Sequence, residues 1–210
     1  MTECVIFAAN ERVMQQVERI LGLLAGIIIF GAQVVYLINT IGRKVRPSVL
    51  SWTGWAFLMG TSVVAQVVGK GWQWSMTGIL FSTVGCLAIS TTAVLTRNYS
   101  LQRKDWLYVV LGALCVGVYM LSANPWMTTI FAIGADAVLG VPTIKKAWHD
   151  PVSERSWAWV LGVISSTLAL VICVGHDWIY VLFPAYLVLF NGLLAYLTQV
   201  APRRHVTGLK

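Results

Sequence analysis

Charged residues are scarce in this chain. They make up 11% of its 210 residues, whereas an ordinary soluble domain carries about 25%. Hydrophobic residues make up 58%, and the mean hydropathy of the whole chain is +0.75. A soluble core cannot bury this much apolar surface without leaving large exposed patches. The composition therefore excludes both a soluble globular enzyme and a disordered chain.

The sequence also lacks the motifs of common catalytic and metal sites. It contains no GxSxG, HExxH or Walker-type loop, and its three histidines fall outside the apolar runs, so neither an enzyme nor a cofactor or metal is expected. The four cysteines have no CxxC spacing, which is against a disulfide framework or zinc site. Nucleic acid is not an expected partner, because the basic residues lie in short clusters between apolar runs.

What the chain does contain is a series of apolar runs long enough to span a bilayer. A spanning helix needs roughly 17–25 mostly apolar residues. The runs between charge clusters predict seven spans: Ile20–Ile41, Ser51–Val68, Ser75–Leu95, Trp106–Leu121, Trp126–Ile144, Trp157–Gly175 and Trp178–Gln199. The sequence thus predicts an all-α membrane protein, with the lipid bilayer as its first partner.

The basic residues predict the orientation of these spans. Cytoplasmic connections of membrane proteins are enriched in Lys and Arg. Alternate connections and the tail hold twelve of the fifteen basic residues: Arg43, Lys44, Arg46, Arg97, Arg103, Lys104, Lys145, Lys146, Arg155, Arg203, Arg204 and Lys210. This split predicts a plasma-membrane or inner-membrane protein with its N-terminus outside and its C-terminus in the cytoplasm. Most of the ten tryptophans border spans, so we expect them to act as anchors at the headgroup level.

An internal repeat is indicated when the chain is compared with itself at a shift of 104 residues. Trp55, Thr61, Ser62, Gly71 and Trp74 fall on Trp159, Ser165, Ser166, Gly175 and Trp178. The repeat predicts two parallel three-helix units joined by a linker helix. The corresponding division is an extracytoplasmic segment (1–19) expected to form a short interfacial helix, a first unit (20–95), a linker helix with its loops (96–125), a second unit (126–199) and a cytoplasmic tail (200–210).

A family resemblance supports this division. The segment Val141–Trp148, which contains Pro142 and precedes a basic connection, resembles the PQ-loop signature near the end of the first helix of a three-helix unit. The residues Arg46–Trp52 resemble the start of the second helix. The chain is thus similar to the PQ-loop and SWEET-like seven-helix family, which implies a 3+1+3 arrangement and assigns a hinge to Pro142. The signature glutamine is replaced by Thr143, and the first copy has Ala32-Gln33 without proline.

Polar residues inside the predicted spans are the candidate site. Asp136 lies ten residues after Trp126, which places it roughly 15 Å deep in a core about 30 Å thick. A carboxylate at that depth is a functional candidate, either as a proton-coupling or substrate-binding group or as a protonated structural residue. Asn191 resembles the solute-facing asparagine of SWEET-like transporters, although its counterpart at the repeat shift is Leu87. The candidate substrate-binding residues are Asp136, Asn191, Ser62, Ser166, Gln33 and Tyr186.

These features predict a transporter that moves a small polar solute by alternating access, with Asp136 as a candidate for proton coupling. The alternative is a non-transporting SWEET-like receptor or an accessory subunit of a larger membrane complex. Gly22 and Gly26 form a small-xxx-small pair, which favours close helix packing within the fold or between subunits. A second copy of the chain or a membrane-complex partner is therefore a further expected partner.

Overall fold

The protein is all-helical in the residues that its computed structural model describes, which are 2–70, 77–102, 105–122, 124–173 and 177–201. Seven α-helices lie within these ranges: α1 (Thr2–Ile41), α2 (Val49–Lys70), α3 (Thr77–Leu95), α4 (Trp106–Leu121), α5 (Pro125–His149), α6 (Ala158–Ile172) and α7 (Trp178–Ala195). A 3₁₀ turn (Pro151–Glu154) precedes α6, and a π-helical segment (Tyr196–Val200) extends α7. The predicted all-α class and the seven helices are confirmed.

Four helices are long and apolar enough to cross a membrane. The qualifying segments are Met14–Ile41, Thr77–Leu95, Trp126–His149 and Trp178–Val200, and the apolar parts of α2, α4 and α6 are shorter. Residues 2–19, predicted to form a separate extracytoplasmic segment, instead continue α1 without a break. No proline or glycine occurs between residues 2 and 19 to end the helix there.

The outer faces of the helices are strongly apolar. On α1, Ile20, Ile27 and Ile38 are each more than half exposed, and on α4 so are Leu107 and Leu114. Monomeric soluble proteins rarely expose contiguous apolar surface on this scale. These faces fit contact with lipid, in line with the spanning length of the longer helices.

The helices pack mainly in the pairs α1–α3, α1–α6, α4–α5, α2–α3 and α6–α7. We refer to α1–α3 and α5–α7 as the two groups of helices. The helix α3 packs against both α1 and α2, and α7 packs against both α5 and α6. The groups meet where α1 contacts α6 and α2 contacts α5, while α4 lies mainly against α5. At Gly26 and Gly78 the backbones of α1 and α3 approach closely, since a Cβ on Gly26 would lie 3.4 Å from the Gly78 Cα. Of the small-residue pair Gly22 and Gly26, Gly26 thus takes part in helix packing within the chain.

Three connections are bound to one another at one end of the helices, and we call them the connection layer (residues 42–48, 96–102 and 150–157). The Arg46 amide donates to the Ser153 carbonyl and the Ser100 amide to the Pro47 carbonyl, each at 2.8 Å. Asn98 Nδ2 donates to the carbonyls of Thr40 and Val45. These bonds place three of the predicted cytoplasmic connections at the same end. Arg103, Lys104 and the basic residues of the tail lie outside the described residues.

Candidate functional site

A cavity of about 1090 Å³ lies between the two groups of helices. Its walls come from α1, α2 and α3 on one side and from α5, α6 and α7 on the other. At one end it is bordered by the exposed residues Gln15, Gln16 and Arg19 of α1 together with the last turn of α6. At the other end, towards the connection layer, it is bordered by the buried rings of Trp52 and Trp159. The cavity therefore leads from an exposed mouth to a floor of aromatic side chains.

The structure brings the sequence-predicted site residues together. Five of the six line this one cavity: Gln33, Ser62, Asp136, Ser166 and Asn191. The sixth, Tyr186, contacts Asp136 directly. The predicted hinge, Pro142, is buried in α5 but is not among the lining residues, and the helix continues past it to His149.

Asp136 sits at the middle of α5 and is only 2% exposed. Its Oδ2 accepts a hydrogen bond of 2.7 Å from the hydroxyl of Tyr186 on α7, and its main-chain carbonyl accepts one of 3.2 Å from Trp55 Nε1 on α2. The carboxylate is thus oriented by α7, while the bond from Trp55 ties the main chain of α5 to α2. It forms no salt bridge with any residue that the structure describes.

Two amide side chains of the cavity wall rest on glycines. Gln33 of α1 lies over Gly85 of α3, where a Cβ would come within 2.0 Å of Gln33 Oε1, and Asn191 of α7 lies over Gly162 of α6. Gln33 Nε2 donates to the Ser82 carbonyl at 3.1 Å, whereas its Oε1 has no hydrogen-bond partner in the described part of the chain. Glycine is required at these two positions because any side chain would displace the amide.

The lining serines use their hydroxyl protons within the protein. Ser62 Oγ donates to the Leu58 carbonyl at 2.9 Å and Ser166 Oγ to the Gly162 carbonyl at 2.8 Å, in both cases one turn back along the same helix. Ser165 differs, because its hydroxyl donates at 2.9 Å to the Ala25 carbonyl on α1. It therefore joins the two groups of helices across the cavity wall.

The floor of the cavity is an aromatic cluster, consisting of Tyr36, Trp52, Trp55, Trp159 and Phe190 from four helices. Neighbouring ring centroids lie 4.6–6.0 Å apart, within the range of favourable aromatic pairs. The expectation that Trp52, Trp55 and Trp159 are headgroup anchors is wrong, since each is only 5% exposed and packs between helices. The repeat at 104 residues, which pairs Trp55 with Trp159, was the sequence signal for an internal role.

Beneath the aromatic cluster, Glu154 is fully buried and binds several elements at once. It accepts a hydrogen bond from the Tyr36 hydroxyl and a 2.7 Å ion pair from Lys146, and its carbonyl accepts from Trp159 Nε1 at 3.1 Å. Burial raises the pKa of this carboxyl group above its ordinary value of 4.5, although Lys146 and Tyr36 act in the opposite direction. Sequence reasoning missed this residue because nothing in the pattern of a basic connection marks one acid as buried.

Comparisons with known proteins assign neither a family nor a function to the chain. The sequence matches no protein-family model, and neither curated proteins nor solved structures give a significant match. Within the described residues no group of three or more His, Cys, Asp or Glu side chains is placed to hold a metal ion.

Proposed function

We propose that the protein is a multi-pass transporter with a SWEET-like 3+1+3 arrangement. In this assignment α1–α3 and α5–α7 are two like-oriented units and α4 links them. The contacts between helices support the proposal. The third helix of each proposed unit packs against the other two, and the units meet at α1–α6 and α2–α5. The resemblance of the α5–α6 region to the PQ-loop signature points the same way.

The distribution of basic residues supports an orientation with the N-terminus outside. Arg43, Lys44, Arg46, Arg97 and Arg155 belong to the connection layer, and Lys145 and Lys146 lie in the last turns of α5 beside it. Positive charges gather on the cytoplasmic face of a membrane. The exposed mouth at Gln15–Arg19 then opens to the outside, and the aromatic cluster closes the path on the cytoplasmic side.

The cavity between the units is the observation that carries the proposal. Alternating-access transporters built from repeats bind their substrate at the repeat interface near the midplane. Asp136, Gln33 and Asn191 line a space of about 1090 Å³ between α1–α3 and α5–α7, which fits such an interface. This volume is at the upper end of the roughly 300–1,000 Å³ of typical small-molecule sites. A small polar solute entering from the mouth reaches the carboxylate before it meets the aromatic floor.

Asp136 is the candidate coupling group in this mechanism. An ionisable residue at mid-membrane depth is costly and marks substrate or proton pathways. Its contact with Tyr186 on α7 gives it a partner whose distance changes when the helices of the second unit shift. Loss or gain of a proton at Oδ2 would change that contact and so connect protonation to the conformation of the unit.

Uptake into proteoliposomes tests the proposal. A panel of labelled sugars, amino acids, vitamins and amines is offered to vesicles containing the wild-type protein, Asp136→Asn or Asp177→Asn, with and without a pH gradient. We expect gradient-dependent uptake of at least one solute by the wild type, its loss in Asp136→Asn and its retention in Asp177→Asn, because Asp177 is exposed and outside the cavity. Equal flux in wild type and Asp136→Asn would remove the coupling role.

The alternative, a receptor or accessory subunit, is favoured by the small residues near the mouth. Gly22, Ala25, Gly26 and Ala169 line that part of the cavity, and a Cβ on Gly22 would meet nothing within 4 Å. Small residues allow another helix to approach closely. Specific solute binding without uptake of any solute in the panel would select this function over transport.

A further inference from the structure

Formal charge is unevenly distributed along the cavity wall. Glu18 and Arg19 lie at the mouth, and in the deep part the lining residues that the structure describes carry one ionisable carboxylate, Asp136, and no Lys or Arg. When ionised, Asp136 gives the deep part of the cavity a negative charge. A ligand that brings a positive charge would neutralise it in surroundings of low dielectric, where such attraction is strong.

Aromatic side chains adjoin Asp136: Tyr186 at its carboxylate and Trp55 at its main-chain carbonyl. Trp55 donates its Nε1 proton to the Asp136 carbonyl, Tyr186 donates to the carboxylate, and Phe190 packs at 5.7 Å from Trp55 and 5.8 Å from Tyr186. The faces of aromatic rings are electrostatically negative and attract ammonium groups within about 6 Å of their centroids. The carboxylate on α5 and the aromatic side chains on α2 and α7 thus all favour a positively charged ligand.

The remaining polar groups fit a ligand with few hydroxyls. Ser62, Ser166 and Asn191 already donate to main-chain carbonyls, so they offer few donors to a sugar. Gln33 Oε1 lacks a hydrogen-bond partner in the described residues and is an acceptor within the same lining. Apolar side chains, among them Ile29, Leu58 and Met59, supply much of the rest of the wall.

We propose that the deep part of the cavity binds an organic cation: a protonated or quaternary amine with an apolar body. The ammonium group pairs with Asp136 against the aromatic rings, and the body lies along Ile29, Leu58 and Met59. An inorganic cation fits poorly, since hard cations such as Ca²⁺ take six or more oxygen ligands and no metal-binding group is present in the described residues. This inference rests on the proposed function, because it names the substrate class of the same cavity.

Two probes of equal skeleton test the inference, 4-phenylbutylamine and 4-phenylbutanol. Isothermal titration calorimetry on the whole protein in nanodiscs of zwitterionic lipid measures the binding of each. In the wild type we expect the amine to bind about tenfold or more tightly than the alcohol, a difference of about 1.4 kcal/mol. In Asp136→Asn the preference should disappear while the alcohol still binds, which shows that the cavity is intact. Asp177→Asn should retain the wild-type preference.

Equal affinities for the two probes in the wild type, or an amine preference that survives in Asp136→Asn, would overturn the inference. A second variant, Phe190→Leu, should lower the affinity for the amine more than that for the alcohol, because it removes an aromatic face and little apolar volume. Amine binding without flux would leave the inference standing and refute transport. Uptake of neutral solutes together with equal binding of the two probes would support transport and refute the organic-cation inference.

Discussion

At the connection-layer end of the cavity Tyr36 and Lys146 both bind Glu154 beneath tilted and edge-to-face aromatic rings, whereas the opposite end is bordered by small and exposed residues. The first end joins α1, α5 and α6 through hydrogen bonds and an ion pair. At the second end Gly22 has no side-chain neighbour, and Gln15 and Gln16 are exposed. The first end is held by a buried ion pair and hydrogen bonds, whereas the described residues of the second end include a glycine beside open space.

Under the proposed transport mechanism, this difference indicates which end of the cavity resists a change of conformation more strongly. Opening the connection-layer end requires breaking buried polar bonds that cost free energy when left unpaired. Closing the mouth requires only that helix ends with small side chains approach each other. We therefore expect mutations at the connection-layer end to change the free energy of unfolding strongly, and matched mutations near the mouth to change it little.

The largest effect is expected for Lys146→Met. This change leaves Glu154, which is 0% exposed, without its cationic partner. Removal of one partner of a buried ion pair costs about 3–5 kcal/mol, measured here as the free energy of unfolding in mixed micelles. The matched control is Lys145→Met, because Lys145 is exposed and, among the described residues, its ammonium group contacts the hydroxyl and ring of Tyr108 at the helix surface.

The pH dependence of the same variants sharpens this prediction. Burial raises the pKa of Glu154 above 4.5, so the folded state binds a proton more readily than the unfolded chain. Stability from this group is present below pH 4.5 and is lost as pH rises through the raised pKa. The loss in Lys146→Met should therefore shrink on acidification, and the double variant Lys146→Met/Glu154→Gln should recover much of it. Equal effects of Lys146→Met and Lys145→Met would contradict the buried pair.

A smaller effect is expected from adding a methyl group to a glycine beside the aromatic cluster. In Gly140→Ala the new Cβ would lie 2.5 Å from Phe190 Cε2 and 3.3 Å from Trp55 Cζ2. Phe190 is buried between Trp55 and Tyr186 and has little room to shift. Overpacking of this kind costs about 1–3 kcal/mol, again measured by unfolding in mixed micelles.

The control for this variant is Gly22→Ala in the mouth half of the cavity. A Cβ there meets nothing within 4 Å, and alanine favours a helix over glycine by about 1 kcal/mol. Stability should be unchanged or slightly increased. A loss as large as that of Gly140→Ala would show that the mouth is packed as tightly as the aromatic floor.

One native cysteine in each half of the cavity can be used to measure how accessible that half is. Cys173 is partly exposed near the mouth, while Cys86 is 2% exposed and lies deeper in the cavity wall. In single-cysteine variants we expect Cys173 to react with a charged, membrane-impermeant maleimide about tenfold or more faster than Cys86, since thiol reactivity depends on access. Equal labelling after denaturation is the control. Faster labelling of Cys86 in the folded protein would mean that the cavity opens elsewhere.

The sequence predicted the helices and several residues that line the cavity better than the contacts between helices. The length of an apolar run predicted the ends of a helix such as α3 to within two residues. A lone acid in an apolar run marked Asp136 as a candidate. Both signals are local along the chain. The buried position of Trp52 could not be predicted, since a tryptophan at a helix end is as suitable for the headgroup level as for an aromatic cluster. The hydrogen bond between Glu154 and Tyr36 could not be predicted either, because it joins residues that lie 118 positions apart in the sequence.

The smallest expected effect concerns the hydrogen bond that joins α6 to α1 in the mouth half of the cavity. Ser165→Ala removes the hydroxyl that donates to the Ala25 carbonyl across α6 and α1. Interhelical hydrogen bonds of this type average about 0.6 kcal/mol in membrane proteins, so the loss of stability should be of that size. The matched control is Thr167→Ala, because its hydroxyl is exposed and bonds only within its own helix, to the Val163 carbonyl.

The conformational consequence of Ser165→Ala is more informative than its effect on stability. In the proposed alternating-access mechanism, a bond between α6 and α1 that exists in the state with an open mouth stabilises that state relative to the closed one. A small energy then shifts a balanced equilibrium severalfold. The variant should therefore lower the labelling rate of Cys173, whereas Thr167→Ala leaves it unchanged. An increase in the rate would mean that the bond restrains the mouth from opening further, and the units would then separate by a movement of α6 away from α1.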